Sequence, residues 1–267
     1  MKKIISLVLV LLMAVCTMLA FTGCSEGETL VCGVTILPKM NEQDADGNWT
    51  DFETEFAQEV GKILGMKVKF QVIDWGQKYN ELNSGKIDCI WNGFTRNSSD
   101  EINGEVFDRA DLVDFSYSYM LNQQCVVVKA DRLSEFANAE ALAGKTAAVE
   151  TGSAGATYAK SVVGNEDLIS DFPAQISTFN EIKSGRSDFA VVDILLAKNV
   201  CGQGDFTDLA IVESIKLESE VYAIGFKKGS DLTEKVNAAI RQLNENGKLL
   251  EIAQKYGLEN SLQVTYD

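Results

Sequence analysis

The sequence predicts an α/β protein built as two lobes of like design. Three observations carry that expectation. Strand-like and helix-like segments alternate through most of the chain, which argues for sheets covered by helices. One segment recurs: Asn83-Ser84-Gly85-Lys86-Ile87-Asp88-Cys89-Ile90 resembles Lys183-Ser184-Gly185-Arg186-Ser187-Asp188-Phe189-Ala190. Each copy is a helix end, a Gly turn, a cation, an Asp and an apolar strand, and the strands run into Asn92 and Asp193. Ligands of open α/β sheets bind beyond such strand ends, so a shared cleft between the lobes is expected.

The elements follow in order. Leu30 to Ile36 is a first strand. Thr50-Asp51-Phe52-Glu53 has the spacing of a capping box, and Phe52, Phe56, Val60, Ile63 and Leu64 then recur on one helical face. Gly65 ends that helix. Val68, Phe70 and Val72 alternate as a second strand, Tyr79 to Asn83 reads as helix, and Ile87 to Trp91 as a third strand. Thr146 to Val149 is a strand that turns through Gly152-Ser153-Ala154 into a helix reaching Tyr158. Phe189 to Val192 is an apolar strand ending at Asp193. Leu232, Val236, Ala239, Ile240 and Leu243 share one face of a late helix, and Gly247 separates it from a shorter one through Tyr256.

Composition narrows the chemistry. Of 267 residues, 46% are hydrophobic and 24% charged, a globular balance. There is no histidine, which removes His-based acid–base catalysis, Ser-His-Asp or Cys-His nucleophiles and most zinc sites. A net charge of −15 argues against nucleic acid as a partner, because phosphate binding needs a basic face. No metal and no cofactor are expected.

The N-terminus reads as a targeting segment. Lys2 and Lys3 precede a nearly unbroken apolar run from Ile4 to Ala20, followed by Phe21-Thr22-Gly23-Cys24. Such a run also suits a permanent membrane span. Gly-Cys after an apolar stretch resembles the lipobox of bacterial lipoprotein signal peptides, although Phe21 stands where Leu is usual. The resemblance implies a signal peptide over 1–23, lipid on Cys24 and a tether over 24–29. Four cysteines remain: Cys32, Cys89, Cys125 and Cys201. The first three lie in apolar strand-like runs and no CxxC spacing exists, so buried free thiols are expected over disulfides.

With these pieces placed, the chain resembles the amino-acid-binding proteins of bacterial ABC importers, solute-binding family 3 with the type II periplasmic-binding-protein fold. The likeness covers roughly Leu30 to Leu258. It rests on Ser84-Gly85-Lys86-Ile87-Asp88 before Asn92-Gly93-Phe94-Thr95, and on Asp114-Phe115-Ser116 before Tyr119. It continues with Leu142-Ala143-Gly144-Lys145-Thr146 before Thr151-Gly152-Ser153, and with Ser184-Gly185-Arg186-Ser187-Asp188 before Val192-Asp193. The order and spacing of these pieces carry the likeness. It implies two Rossmann-like lobes with mixed sheets, joined by two crossing strands near Leu121 to Gln124 and Glu218 to Tyr222. Lobe one would span 29–121 and 220–267, lobe two 122–219, with the ligand cleft between them.

An amino-acid ligand presents a carboxylate, an ammonium and a side chain. A bidentate Arg suits the carboxylate. In similar proteins that Arg lies shortly after a Thr and shortly before Asp-Phe-Ser. Counting from Thr95 and counting from Phe115 disagree unless residues are inserted between Arg96 and Phe107; the count from Phe115 selects Arg109, with Arg96 the alternative. The Ser153 and Ala154 amides at a helix N-terminus would assist. Asp193, at the end of an apolar strand, is the candidate for the ammonium, or else caps the helix that follows. By resemblance Asn92, Gly93 and Thr95 complete this end, and Trp75 packs on the ligand side chain. Glu150 would favour a cationic side chain, whereas Thr35 stands where binders of basic amino acids commonly have Asp. A polar amino acid is therefore expected, a cationic one preferred.

Three rival readings remain at this point. A dehydratase-like enzyme could pair Glu150 with Asp193, without support from any motif. A ligand-sensing module would normally continue into a transmembrane helix, whereas this chain stops at Asp267. A lipoprotein whose pocket is altered could act as an adhesin, a reading to which the displaced Arg lends weight. The expected partners are an amino acid, an ABC permease and lipid through Cys24; the expected location is extracytoplasmic and the chain a monomer.

Overall fold

A computed structural model describes residues 28–266. The signal peptide, Cys24 and nearly all of the tether lie outside the described residues.

The chain folds as two α/β lobes. In the first, β1 (Thr29–Val34) lies between β4 (Lys67–Val72) and β5 (Cys89–Ile90) and is parallel to both. β15 (Gly225–Phe226) and β8 (Asp114–Phe115) extend this sheet antiparallel, in the order β4-β1-β5-β15-β8. A small ribbon of β2 (Glu42–Gln43) and β3 (Trp49–Thr50) precedes helix α1 (Phe52–Leu64). The apolar face of α1 packs on α7 (Leu232–Glu245) and α8 (Lys248–Tyr256). Its Phe56 ring meets Trp91 and Tyr119 edge-on at 5.1 and 5.3 Å. Gly65 ends α1 in the left-handed conformation, as expected.

The second sheet runs β11 (Ile169–Phe172), β10 (Ala147–Glu150), β12 (Phe189–Asp193), β9 (Ser118–Lys129), β13 (Leu209–Ile211). β10 is parallel to β11 and β12, while β9 runs against β12 and β13. Helices α4 (Ala154–Val163), α5 (Gln175–Ser184) and α6 (Ile194–Val200) pack on it.

Two strands cross between the lobes. The twelve residues of β9 pair first with β14 (Ser219–Tyr222), from Met120↔Tyr222 to Gln123↔Ser219, and then with β12 from Gln124 onward. β14 returns the chain to β15 in the first sheet, and the C-terminal β16 (Leu262–Thr265) pairs with the start of β9.

The recurring segment is one structural device used twice. Gly85 and Gly185 both take the left-handed conformation, after α2 (Lys78–Asn83) and α5 respectively. Lys86 pairs with Glu81 at 2.9 Å and Arg186 with Glu181 at 2.5 Å. Asp88 accepts the Val31 N–H at 2.7 Å and Asp188 the Thr146 N–H at 2.8 Å, so each carboxylate ties its strand to the start of the neighbouring segment.

Three expectations change. The capping box at Thr50 does not form: Asp51 holds the N-cap position with φ of 82°, and its carboxylate takes the Lys39 N–H at 3.1 Å. Glu53 lies on the face of α1 that the lobe buries. It therefore turns inward, where it accepts the Gly93 N–H at 2.9 Å and the Tyr119 hydroxyl. Ile87 to Trp91 is strand only at Cys89–Ile90. All four described cysteines are free; Cys32, Cys89 and Cys125 are buried, but Cys201 is only half-buried.

The residues between Arg96 and Phe107 hold a β-hairpin, β6 (Ser99–Ile102) and β7 (Glu105–Asp108). Asn103 and Gly104 close it with φ of 55° and 83°, the double left-handed turn that matches strand twist. The hairpin runs directly into α3 (Arg109–Leu112).

Candidate functional site

All nine residues singled out from the sequence line one cavity between the lobes. Trp75, Asn92, Gly93, Thr95 and Arg109 come from the first lobe, and Glu150, Ser153, Ala154 and Asp193 from the second. The cavity is narrow, with about 10 Å³ open to a water-sized sphere. Arg96 does not reach it; that residue lines a separate hollow with Ser118 and Thr265.

One end is cationic. Arg109 opens α3 and is 1% exposed. Its Nε and Nη2 donate to Asp100 Oδ1 at 3.1 and 2.8 Å, and its Nη1 to the Thr95 carbonyl at 3.1 Å. The guanidinium carbon stands 4.9 Å from the Phe94 ring centre. Lys78, 2% exposed, bonds the other oxygen of Asp100 at 3.0 Å. Burial alone would raise the Asp100 carboxyl, yet Arg109 and Lys78 outweigh it and hold the group at about 2. Burial, and then Arg109, lowers Lys78 to about 8. Across the cavity, Ser153 caps α4 by accepting the Ala156 N–H at 3.0 Å. This leaves the amides of Ala154 and Gly155 in the first turn, where no helical partner exists and an anion is favoured. A side chain on Gly155 would meet the Val191 carbonyl at 2.5 Å, so glycine lets α4 lie this close to β12.

The opposite end is acidic. Asp193 precedes α6 but makes no cap bond with its side chain. Its Oδ1 instead accepts Asn122 and Gln124, both at 2.6 Å, and its Oδ2 accepts Gln175 at 2.5 Å. Glu220, on β14, accepts the same two amides at 2.9 and 3.0 Å and the Thr95 hydroxyl at 3.2 Å. Desolvation raises the pKa of both carboxyls, and Asp193 raises Glu220 further.

Between these ends, Glu150 terminates β10 at 2% exposure, and its Oε1 has no hydrogen-bond partner. Burial first, and then Asp193, pushes its carboxyl up to about 8. Trp75 is buried edge-on to Phe94 at 5.6 Å. Asn92 lines the wall with its amide spent: Oδ1 accepts the Thr35 hydroxyl at 2.6 Å and Nδ2 donates to the Thr35 carbonyl at 3.1 Å. Two buried cations, Lys78 and Arg109, thus stand among four carboxylates, Asp100, Glu150, Asp193 and Glu220.

The lobes meet around the cavity. Lys78 Nζ and Arg109 Nη2 reach the Gly152 carbonyl of the second lobe at 2.9 and 3.3 Å. The hairpin reaches α4: Thr157 donates to the Ser99 carbonyl at 3.3 Å, and Lys160 pairs with Glu101 at 3.0 Å.

Sequence reasoning missed Gln124 and Gln175 in the lining, and Lys78, Asp100 and Glu220 behind it. Gln124 carried a signal, because Asn122 and Gln124 alternate on one face of a predicted crossing strand. Gln175 and Lys78 carried no comparable signal.

The chain is similar to known proteins over most of its length. The model of the bacterial extracellular solute-binding proteins, family 3, matches residues 30–259. The arginine-binding extracellular protein ArtP of Bacillus subtilis (strain 168) is 27% identical over 257 residues, covering 93% of this chain and 96% of its own. The L-cystine-binding protein TcyJ of Escherichia coli (strain K12) is 27% identical, covering 86% and 83%. Among solved structures, an ancestral arginine-binding protein bound to arginine superposes with a TM-score of 0.75 at 30% identity, covering 86% of this chain and 99% of that one.

Proposed function

The chain belongs to the bacterial extracellular solute-binding proteins, family 3, and from that premise we propose that it is the amino-acid receptor of an ABC importer, taking a polar amino acid and preferring a cationic one. The observation that carries this reading is that Arg109 and Asp193 line one inter-lobe cavity together with Glu150, whose Oε1 has no hydrogen-bond partner. Arg109 and the Ala154 and Gly155 amides take the ligand carboxylate. Asp193, the Thr95 hydroxyl and the Gly93 carbonyl take the ammonium. Trp75 covers the side chain, Asn92 holds the wall in shape, and Glu150 meets a distal cation. ArtP binds arginine and TcyJ cystine by their names; the carboxylate excess in this cavity favours the first chemistry.

Ligand first occupies one lobe of an open form, and the second lobe adds contacts only on closure. The lobe boundaries fall at 121/122 and 219/220, where β9 and β14 cross. Cys24 carries the lipid anchor of a monomer outside the cytoplasm. The chain acts as a binding protein, a reading supported by relatives that are binding proteins by their names. With Arg109 at the cavity, an adhesin with an altered pocket has no support.

Thermal unfolding with each common amino acid, ornithine and cystine tests the reading. Ligand at 100 times its dissociation constant stabilises by about 2.7 kcal/mol, a melting shift of roughly 5–10 °C at this size. Shifts are expected for arginine, lysine or ornithine; no shift with any amino acid would refute the proposal.

A further inference from the structure

We infer that Glu220 is a positioning residue that draws the hydrogens of Asn122, Gln124 and Thr95 away from the ammonium end of the cavity, so that recognition depends on the ligand's α-ammonium. The inference rests on the amino-acid reading above and goes beyond it, because Glu220 itself does not line the cavity.

The hydrogen-bond inventory carries the argument. A primary amide has two N–H hydrogens and a hydroxyl has one. Asn122 Nδ2 donates to Asp193 Oδ1 at 2.6 Å and to Glu220 Oε2 at 2.9 Å. Gln124 Nε2 donates to the same two oxygens at 2.6 and 3.0 Å. Both amides are therefore fully spent. The Thr95 hydroxyl gives its single hydrogen to Glu220 Oε2 at 3.2 Å. What Thr95 then turns to the cavity is a lone pair, beside the Asp193 carboxylate. Without Glu220 the Thr95 hydroxyl and the second N–H of Gln124 would be free to turn toward the ligand, and the wall would offer donors to a hydroxyl or a carboxylate as well as acceptors to an ammonium.

An ammonium offers three donors to this surface, whereas a methylene offers none and leaves buried acceptors unpaired. The test compares L-arginine with δ-guanidinovalerate, which lacks only the α-ammonium, by isothermal titration. The wild-type protein is expected to prefer arginine at least about a hundredfold. In Glu220→Gln that ratio should fall about tenfold or more, through weaker arginine binding with the analogue little changed. Equal weakening of both ligands, or no change in either, overturns the inference. Thr95→Val, which removes the accepting hydroxyl at similar volume, gives a second reading: the ratio should again fall, and an unchanged ratio contradicts the role. If the wild-type protein binds arginine without preference over the analogue, the inference fails together with the ammonium role of Asp193, while the receptor reading stands. If it binds neither these nor any other amino acid, the receptor reading fails and takes the inference with it.

Discussion

Arg109 gives two of its N–H groups to a single oxygen of Asp100, Nε at 3.1 Å and Nη2 at 2.8 Å, while Lys78 holds the other oxygen at 3.0 Å. Asp100 comes from the hairpin ahead of α3, so the segment that precedes the arginine in the sequence also fixes its guanidinium in space. All three groups are buried. Removing one charge from such a cluster leaves its partners uncompensated.

Asp100→Asn is therefore expected to destabilise the protein by about 3–5 kcal/mol and to weaken amino-acid binding, because Arg109 loses its orientation. Denaturant melts and titration calorimetry check both effects. Wild-type stability in this variant would mean that water reaches the cluster.

Glu150→Gln should reduce the affinity for arginine and lysine while leaving glutamine little changed, because only the distal cation loses its partner. A competition series with these three ligands reads the effect directly. Equal affinities before and after the substitution would remove Glu150 from specificity.

Glu53 makes stability depend on pH. Burial raises its carboxyl from 4.5 to about 7, against the opposing bonds from Tyr119 and Gly93. Between those values the folded chain keeps a proton that the unfolded chain has released, so the stabilisation is complete below pH 4.5 and is lost as pH rises through about 7. The loss amounts to about 3 kcal/mol. Glu150, raised to about 8, acts with the same sign. Chemical denaturation at pH 5 and pH 8 should show the protein more stable at the lower value, and Glu53→Gln should reduce the difference. A flat profile for the wild-type protein would show that Glu53 stays ionised.

The exposed pair between Glu101 on the hairpin and Lys160 on α4 links the lobes at 3.0 Å. Surface pairs contribute 0–1 kcal/mol, so Glu101→Lys should speed ligand release only roughly twofold to fivefold. The combined reversal Glu101→Lys with Lys160→Glu should restore the rate. Stopped-flow displacement measures it, and identical rates in all three proteins would show that the hairpin leaves α4 before the cleft opens.

Much of this architecture was legible in the sequence because local chemistry enforces it. Gly85 and Gly185 announce two helix ends, and Asp88 and Asp188 hold the strands beside them in the same way. Asp193 stood out because a carboxylate closing an apolar strand has no packing role, and its side chain is indeed turned from the helix it precedes. Other features depend on tertiary context. Thr50 and Glu53 have capping-box spacing, but Glu53 is committed to Gly93 and Tyr119, far along the chain. Lys78 looks like any cation on a short helix until Asp100, from the hairpin, closes over it. Gln175 meets Asp193 only because α5 packs beside β12. Residues placed by such distant partners leave no periodic trace.

Titration of L-arginine into the wild-type protein and into Asp193→Asn tests the central claim most directly. Loss of the charged ammonium partner from a desolvated site should weaken binding by roughly thirtyfold or more, about 2 kcal/mol upward. A near wild-type dissociation constant in Asp193→Asn would contradict the account and move the ammonium, and with it the ligand, elsewhere in the molecule.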